Sequence, residues 1–145
     1  MGNKPYLGHF RRYFILVNKF RKEDGNMFLN LSNHSSDSWG ETQKKAAEQY
    51  GEIIDMKPPL ISPSATAEEV KSLAHDMALR VSLYNPKCVM CQGESTYVYA
   101  LVNELKKMEI KTIAACSERI VKDETKDGIT IKTAVFKFRG FREYL

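Results

Sequence analysis

No apolar run in this chain approaches the ~18–20 residues that a helix needs to cross a bilayer. The longest compact candidate, Tyr13–Val17, is far shorter. The charged N-terminus is not followed by an apolar stretch of signal-peptide length, so a cytoplasmic protein with no membrane partner is expected. Cysteine is scarce: Cys88, Cys91 and Cys116 are an odd, small set that argues against a disulfide framework. Cys88 and Cys91 have CxxC spacing, but they fall in a short apolar run that reads as a buried strand. Positions i and i+3 of a strand point to opposite faces, so two such sulfurs cannot share one ion and are expected to be core residues. A phosphate-loop lysine motif and a GxGxxG fingerprint are both missing, which leaves ATP-loop and NAD chemistry without support. No His, Cys, Asp or Glu set has metal-ligand spacing, and neither metal nor cofactor is expected. There are no internal repeats and no low-complexity tract.

What is present suits one domain. The chain has 145 residues, 43% of them apolar, enough for a real core. Charge is unevenly placed. Residues 1–26 hold six Lys/Arg and two Asp/Glu, while the rest holds sixteen of each. The basic character therefore belongs to the N-terminal segment and does not imply a basic face on the domain; no duplex nucleic acid is expected as a partner. Gly2, Pro5 and Gly8 break periodicity in that segment, and Lys22–Asn26 is a polar turn. Residues 1–26 read as a basic extension, with Tyr13–Val17 as a possible added edge strand, and 27–145 as the domain.

From Met27 the pattern is regular. Met27–Leu31, Ile53–Met56, Lys87–Cys91 and Ile110–Cys116 are short apolar runs. Ser38 with Glu41, and Thr66 with Glu69, are spaced as capping boxes, where a hydroxyl and a carboxylate satisfy each other's backbone amides at a helix start. The first helix is expected to end near Tyr50, with Gly51 as its stop. Val70, Leu73, Ala74, Met77, Ala78 and Val81 form one helical stripe, and Val98, Leu101, Val102, Leu105 and Met108 another. Strands alternating with amphipathic helices predict an α/β fold, a Rossmann-like, mostly parallel sheet flanked by helices. At the C-terminus, Arg119–Lys122 and Ile129–Phe138 flank a turn ending in Asp127-Gly128, which predicts an antiparallel β-hairpin. Phe136 and Phe138 alternate there with Lys137 and Arg139.

Open α/β sheets bind ligands beyond the C-terminal ends of their strands. Three polar stretches leave such ends here: Ser32–Ser36, Gln92–Thr96 and Ser117–Arg119. In the second, Gly93 permits a tight turn, and Ser95 and Thr96 place hydroxyls and amides at a helix start, an arrangement suited to phosphate. Glu94 repels phosphate and fits better on a ribose hydroxyl or as an acid–base group; ordinary capping is the plain alternative. His34 is the one histidine on the expected binding edge, and its titration range suits proton transfer at a ribose 2′-hydroxyl, against the alternative of a loop histidine bonded to backbone. His75 lies off its helix's apolar stripe and reads as a surface residue. Arg119 can hold a phosphate in two-pronged fashion or simply pair with a carboxylate such as Glu118. Lys137, Arg139 and Arg142 could extend the basic rim. The candidate site is thus His34 and Glu94 for proton transfer, with Ser32, Asn33, Gln92, Gly93, Ser95, Thr96, Ser117 and Arg119 as ligand contacts.

Phe28–His34, Gln92–Thr96, Ala100–Asn103, Ala115–Arg119 and Phe138–Tyr144 together resemble small CRISPR-associated proteins, the stand-alone relatives of the CRISPR-associated Rossmann-fold (CARF) sensor domains. The resemblance spans about Met27–Tyr144 and is strongest in Gln92–Asn103. Ser95 and Thr96 depart from it, where an aromatic or glycine is also expected. The resemblance implies a homodimer that binds cyclic oligoadenylate across its two-fold axis, and in some members a ring nuclease that cuts the messenger without metal and switches off type III CRISPR signalling. A binding-only sensor or sponge needs the same pocket, and a general nucleotide-processing enzyme of this fold needs no resemblance at all. One domain presents a shallow edge, so two copies with their Gln92–Thr96 turns near the axis are expected to surround the ring.

Overall fold

The computed structural model describes residues 25–145. The expected extension over 1–26, with its edge strand Tyr13–Val17, lies almost wholly outside the described residues. Strand β1 (Met27–Leu31) begins where the apolar pattern begins. It is followed by a short 3-10 turn at Ser36–Ser38, helix α1 (Glu41–Glu48), strand β2 (Glu52–Asp55), helix α2 (Ala67–Tyr84), strand β3 (Cys88–Cys91), helix α3 (Ser95–Lys107), and two long strands, β4 (Thr112–Lys126) and β5 (Ile129–Glu143). The sheet order is β2-β1-β3-β4-β5. The first four strands are parallel, and β5 returns antiparallel to β4. The expected α/β class and the closing hairpin are both present.

Burial follows from the strand period. Leu29, Leu31, Val89 and Cys91 face α2 and α3, where Ala74, Met77, Ala78, Val81, Leu101 and Leu105 cover them. Phe28, Cys88, Met90 and Ile113 face the other way, against Trp39 and Ala47. Cys88 and Cys91 therefore sit on opposite faces, as their spacing requires. Burial in apolar surroundings pushes both thiols up, Cys88 to about 12, so neither is a thiolate near neutrality. Tyr97, which the helical stripe did not include, is buried, whereas Leu73, Val98 and Met108 are half-buried at the margin.

The Thr66–Glu69 capping box forms: the Glu69 amide donates to Thr66 Oγ1 at 3.2 Å, and the Thr66 amide donates to Glu69 Oε2 at 2.7 Å. The Ser38–Glu41 box does not. Trp39 is buried against Phe28, which requires an extended backbone at Trp39 and Gly40, so α1 starts two residues later with Gly40 as its cap. Ser38 Oγ instead donates back to the Ser35 carbonyl at 2.7 Å. After α1, Gly51 has φ 129°, and a Cβ there would run into the Asn26 carbonyl, so the stop needs glycine.

The second departure concerns Ser117–Arg119, read as a loop after the fourth strand. These residues lie inside β4, just past a bulge between Cys116 and Ser117. β4 pairs with β3 through Thr112 and Ile113; past the bulge β4 and β5 run on as a two-stranded arm, closed by Asp127 (φ 52°) and Gly128 (φ 77°). Both faces of that arm meet solvent, so polar residues there do not interrupt a strand.

Candidate functional site

In the order β2-β1-β3-β4, the chain leaves β1 toward one edge and then crosses back to place β3 on the other side. The carboxyl ends of β1 and β3 therefore border a crevice, the usual ligand position in a doubly wound sheet. A groove of about 880 Å³ opens there. Ser32 and His34 reach it from β1, Gln92 from β3, and Ser117 from β4. Trp39, Thr42 and Gln43 wall one side, and Phe136, Lys137, Phe138 and Arg139 of the hairpin wall the other.

A polar network sets the β1 end. Asn30 is the polar residue of an otherwise apolar strand, and it is buried. Its amide donates to Asp55 Oδ1 and to the His34 carbonyl, each at 2.8 Å, and its oxygen accepts from Ser32 Oγ at 2.7 Å. Asp55, at the end of β2, also accepts from the Ser35 hydroxyl, the Ser36 amide and the Ser36 hydroxyl. Partial desolvation pushes the Asp55 carboxyl up, but the donors from Asn30, Ser36 and Ser35 together hold it below the ordinary aspartate range. The backbone around His34 is thereby fixed from two strands. The His34 ring is exposed, and among the described residues no group hydrogen-bonds it.

On the β3 side, Gln92 Nε2 donates to the Ala115 carbonyl at 3.3 Å, tying the turn to β4. Tyr144 Oη donates to the Cys91 carbonyl at 2.8 Å and fastens the chain's end to the same place. Glu94 caps α3: its carboxylate accepts from the Thr96 hydroxyl at 2.6 Å, the Tyr97 amide at 2.8 Å and the Thr96 amide at 3.1 Å. Those bonds, the Thr96 hydroxyl first, lower its pKa, which makes it a weaker base. The helix-start amides counted on for phosphate are thus already held by a carboxylate. Gly93 and Ser95 open onto a separate depression of about 460 Å³ with Val98, Tyr99 and Tyr144, while Glu94 lines neither.

The structure thus brings Ser32, His34, Gln92 and Ser117 together and leaves Asn33, Gly93, Glu94, Ser95, Thr96 and Arg119 off the groove lining. Arg119 is exposed on the arm opposite Phe136. Lys137 and Arg139 occupy the basic rim instead, and Arg139 pairs with Glu118. Sequence reasoning missed Asp55, Trp39 and the aromatic wall. Two signals pointed there: an asparagine inside an apolar strand, and the chain's single tryptophan just before a helix. His75, as expected, lies on the surface, with Nδ1 3.0 Å from Glu104. Among the described residues, no three His, Cys, Asp or Glu are grouped to hold a metal ion, and no helix is long and apolar enough to cross a membrane.

Fold and groove define a small doubly wound α/β protein with a binding crevice at its strand-order switch. The chain belongs to the family described as "Uncharacterized protein MJ1673 family", whose model matches residues 26–142. No curated protein matches the chain.

Proposed function

We propose that the protein binds a cyclic oligoadenylate in this groove and cuts it without metal, as a cytoplasmic homodimeric ring nuclease that ends type III CRISPR signalling. One observation carries the reading: a single groove at the switch point gathers an unbonded histidine, three aromatic rings (Trp39, Phe136 and Phe138) and two cations (Lys137 and Arg139). Bases stack on aromatic faces regardless of sequence, and phosphates seek such cations. In the reaction, a ribose 2′-oxygen forms a bond to the adjacent phosphorus while the P–O5′ bond breaks, leaving a 2′,3′-cyclic phosphate and a 5′-hydroxyl. His34 takes the 2′-proton, and the leaving oxygen gains one from solvent or from the imidazolium. Lys137 at the rim offsets charge developing on the phosphoryl oxygens, while Arg139 is held by Glu118. Glu94 has no proton-transfer role in this scheme, because its carboxylate is the α3 cap.

A binding-only sensor is the second reading. It draws support from the His34 ring, which no described group orients, whereas general bases are usually held by a partner. One experiment separates the two: the full chain is incubated with cyclic tri-, tetra- and hexa-adenylate in EDTA, and products are followed by chromatography. The nuclease reading expects linear products ending in 2′,3′-cyclic phosphate. Tight binding with no turnover supports the sensor. Neither binding nor turnover with any of the three rings overturns both.

A further inference from the structure

Among the described residues, α1 alone of the α-helices has an open amino end. The Thr66–Glu69 box closes α2, and the Glu94 carboxylate takes the Thr96 and Tyr97 amides of α3. α1 is capped by Gly40, which has no side chain to do it with. The cause is Trp39. Its burial on Phe28 moves the start of α1 past Ser38, and the Ser38 hydroxyl turns back to the Ser35 carbonyl. Among the described residues, no group accepts from the amides of Glu41 and Thr42.

An open helix start is ordinarily met by water. A second observation points this one at a ligand. Trp39 is 9% exposed, yet among the described residues its indole N–H donates to nothing. Two polar side-chain atoms there are sealed without a partner, Tyr97 Oη and Thr112 Oγ1, and the Trp39 nitrogen is not one of them. It therefore meets open space, and the space that Trp39 borders is the groove. Gly40 and Thr42 line that groove too, together with His34. One nearly buried donor and two free amides thus stand side by side in the sequence and open onto the same crevice.

We infer that this corner of the groove holds a phosphodiester of the bound ligand, through Trp39 Nε1–H and the Glu41 and Thr42 amides. Amides at a helix start attract an anion by their N–H groups and by the helix dipole. The charge balance selects the kind of phosphate. Residues 37–45 set Asp37 and Glu41 against Lys44 and Lys45. Lys44 Nζ reaches back to the Asp37 carbonyl at 3.5 Å, and neither carboxylate lines the groove. Neutral donors without net positive charge suit the single charge of a diester better than the double charge of a terminal phosphate. The three donors add fixed hydrogen bonds to the non-bridging oxygens, beside the one free cation of the rim, Lys137. The indole N–H lies in the ring plane, so this role does not compete with stacking on the ring's face. The inference rests on the reading that the groove takes a ribonucleotide, but not on cleavage or on a closed ring.

Proton–nitrogen NMR on the isotope-labelled full chain tests this. One probe is adenylyl-3′,5′-adenosine, with a single phosphodiester; its control is the uncharged methylphosphonate analogue, with the same two bases. The diester should move the Glu41 and Thr42 amide signals and the chain's one indole N–H signal downfield, and the analogue should not. Adenosine 5′-monophosphate should move them less than its methyl ester does. Glu41→Pro deletes one donor and keeps the helix, because proline suits the first helical position and Gly40 is already extended. Compared with Glu41→Ala, which removes the carboxylate alone, it should weaken dinucleotide binding at least about fivefold. Trp39→Phe, which keeps a ring and loses the N–H, should weaken it similarly. No shift with millimolar dinucleotide, equal shifts from the methylphosphonate, larger shifts from the monophosphate than from its ester, or equal affinity in Glu41→Pro and Glu41→Ala each overturns the inference. Those results leave the ring-nuclease reading intact where cyclic oligoadenylate is still bound and cut. Shifts from the dinucleotide in a protein that cuts no ring keep the phosphate subsite and discard the nuclease.

Discussion

The body and the arm follow different rules although one strand runs through both. In the body, the apolar residues of β1 and β3 are covered by α2 and α3 on one face and by Trp39, Ala47, Tyr50 and Phe141 on the other, and Phe28, Leu29, Cys88 and Val89 are wholly buried. In the arm, β4 and β5 keep the same alternating chemistry but nothing among the described residues covers it, and Phe136 is 68% exposed. The change falls at the bulge between Cys116 and Ser117. Alternation states that a strand has two kinds of face; only packing decides whether the apolar kind is a core or an interface. The groove lies at the junction, taking His34 and Trp39 from the body and Phe136–Arg139 from the arm.

The largest expected effect sharpens that contrast. Leu101→Ala, in the α3 core, should cost about 2–5 kcal/mol of stability, read as a fall in the urea midpoint. Phe136→Ser on the arm should leave the dilute protein's midpoint nearly unchanged. Equal losses would mean that the arm is folded into the body. Next is the network that joins β1 and β2. Asn30→Ala removes a donor from Asp55 and from the His34 carbonyl and leaves the Ser32 hydroxyl with the His34 backbone alone, and should cost about 2 kcal/mol while raising amide exchange across Ser32–Ser36.

On the proposed nuclease reading, His34→Ala should slow ring cleavage by about a hundredfold or more with affinity held within about tenfold. Glu94→Gln should keep the rate and lower the melting temperature instead. A Glu94→Gln enzyme that folds normally but is inactive would return Glu94 to the chemistry. The smallest effect is on pH. The folded Asp55 carboxyl titrates below the ordinary aspartate range, so its contribution to stability is present above the unfolded pKa and disappears as pH falls through the folded one. Asp55→Asn should flatten that acid limb of the stability curve, most visibly below pH ~4, where the unfolded carboxyl begins to protonate.

Much of the fold was legible because the body obeys local rules. Thr66 and Glu69 cap α2 as their spacing predicts, and the α2 stripe is buried but for Leu73 at its margin. Errors arose where a long-range contact outweighed a local signal. Ser38 and Glu41 have the spacing of a capping box, but burying Trp39 on Phe28 costs the chain that geometry. Ser117–Arg119 reads as a loop because polarity was taken for a strand's end, when the strand had merely left the core. For the site, strand-end logic placed Ser32, His34 and Gln92 at one crevice, since sheet topology alone decides where those ends meet, while Ser117 borders it from within β4. It misjudged Glu94 and Arg119, whose roles depend on which partner each side chain reaches: the α3 amides for one, open solvent for the other. Asp55 was invisible for the same reason, because its partners are nineteen or more residues away in sequence.

The single tryptophan has a practical consequence. Trp39 is 9% exposed, meets Phe28 edge to face with ring centroids 6.1 Å apart, and lines the groove. The chain holds no other indole. When the protein is excited where tyrosine does not absorb, its intrinsic emission therefore comes from the wall of the crevice. A base stacked nearby would quench or shift that emission directly, so the molecule carries its own optical titration of the groove, with no label attached and no residue changed.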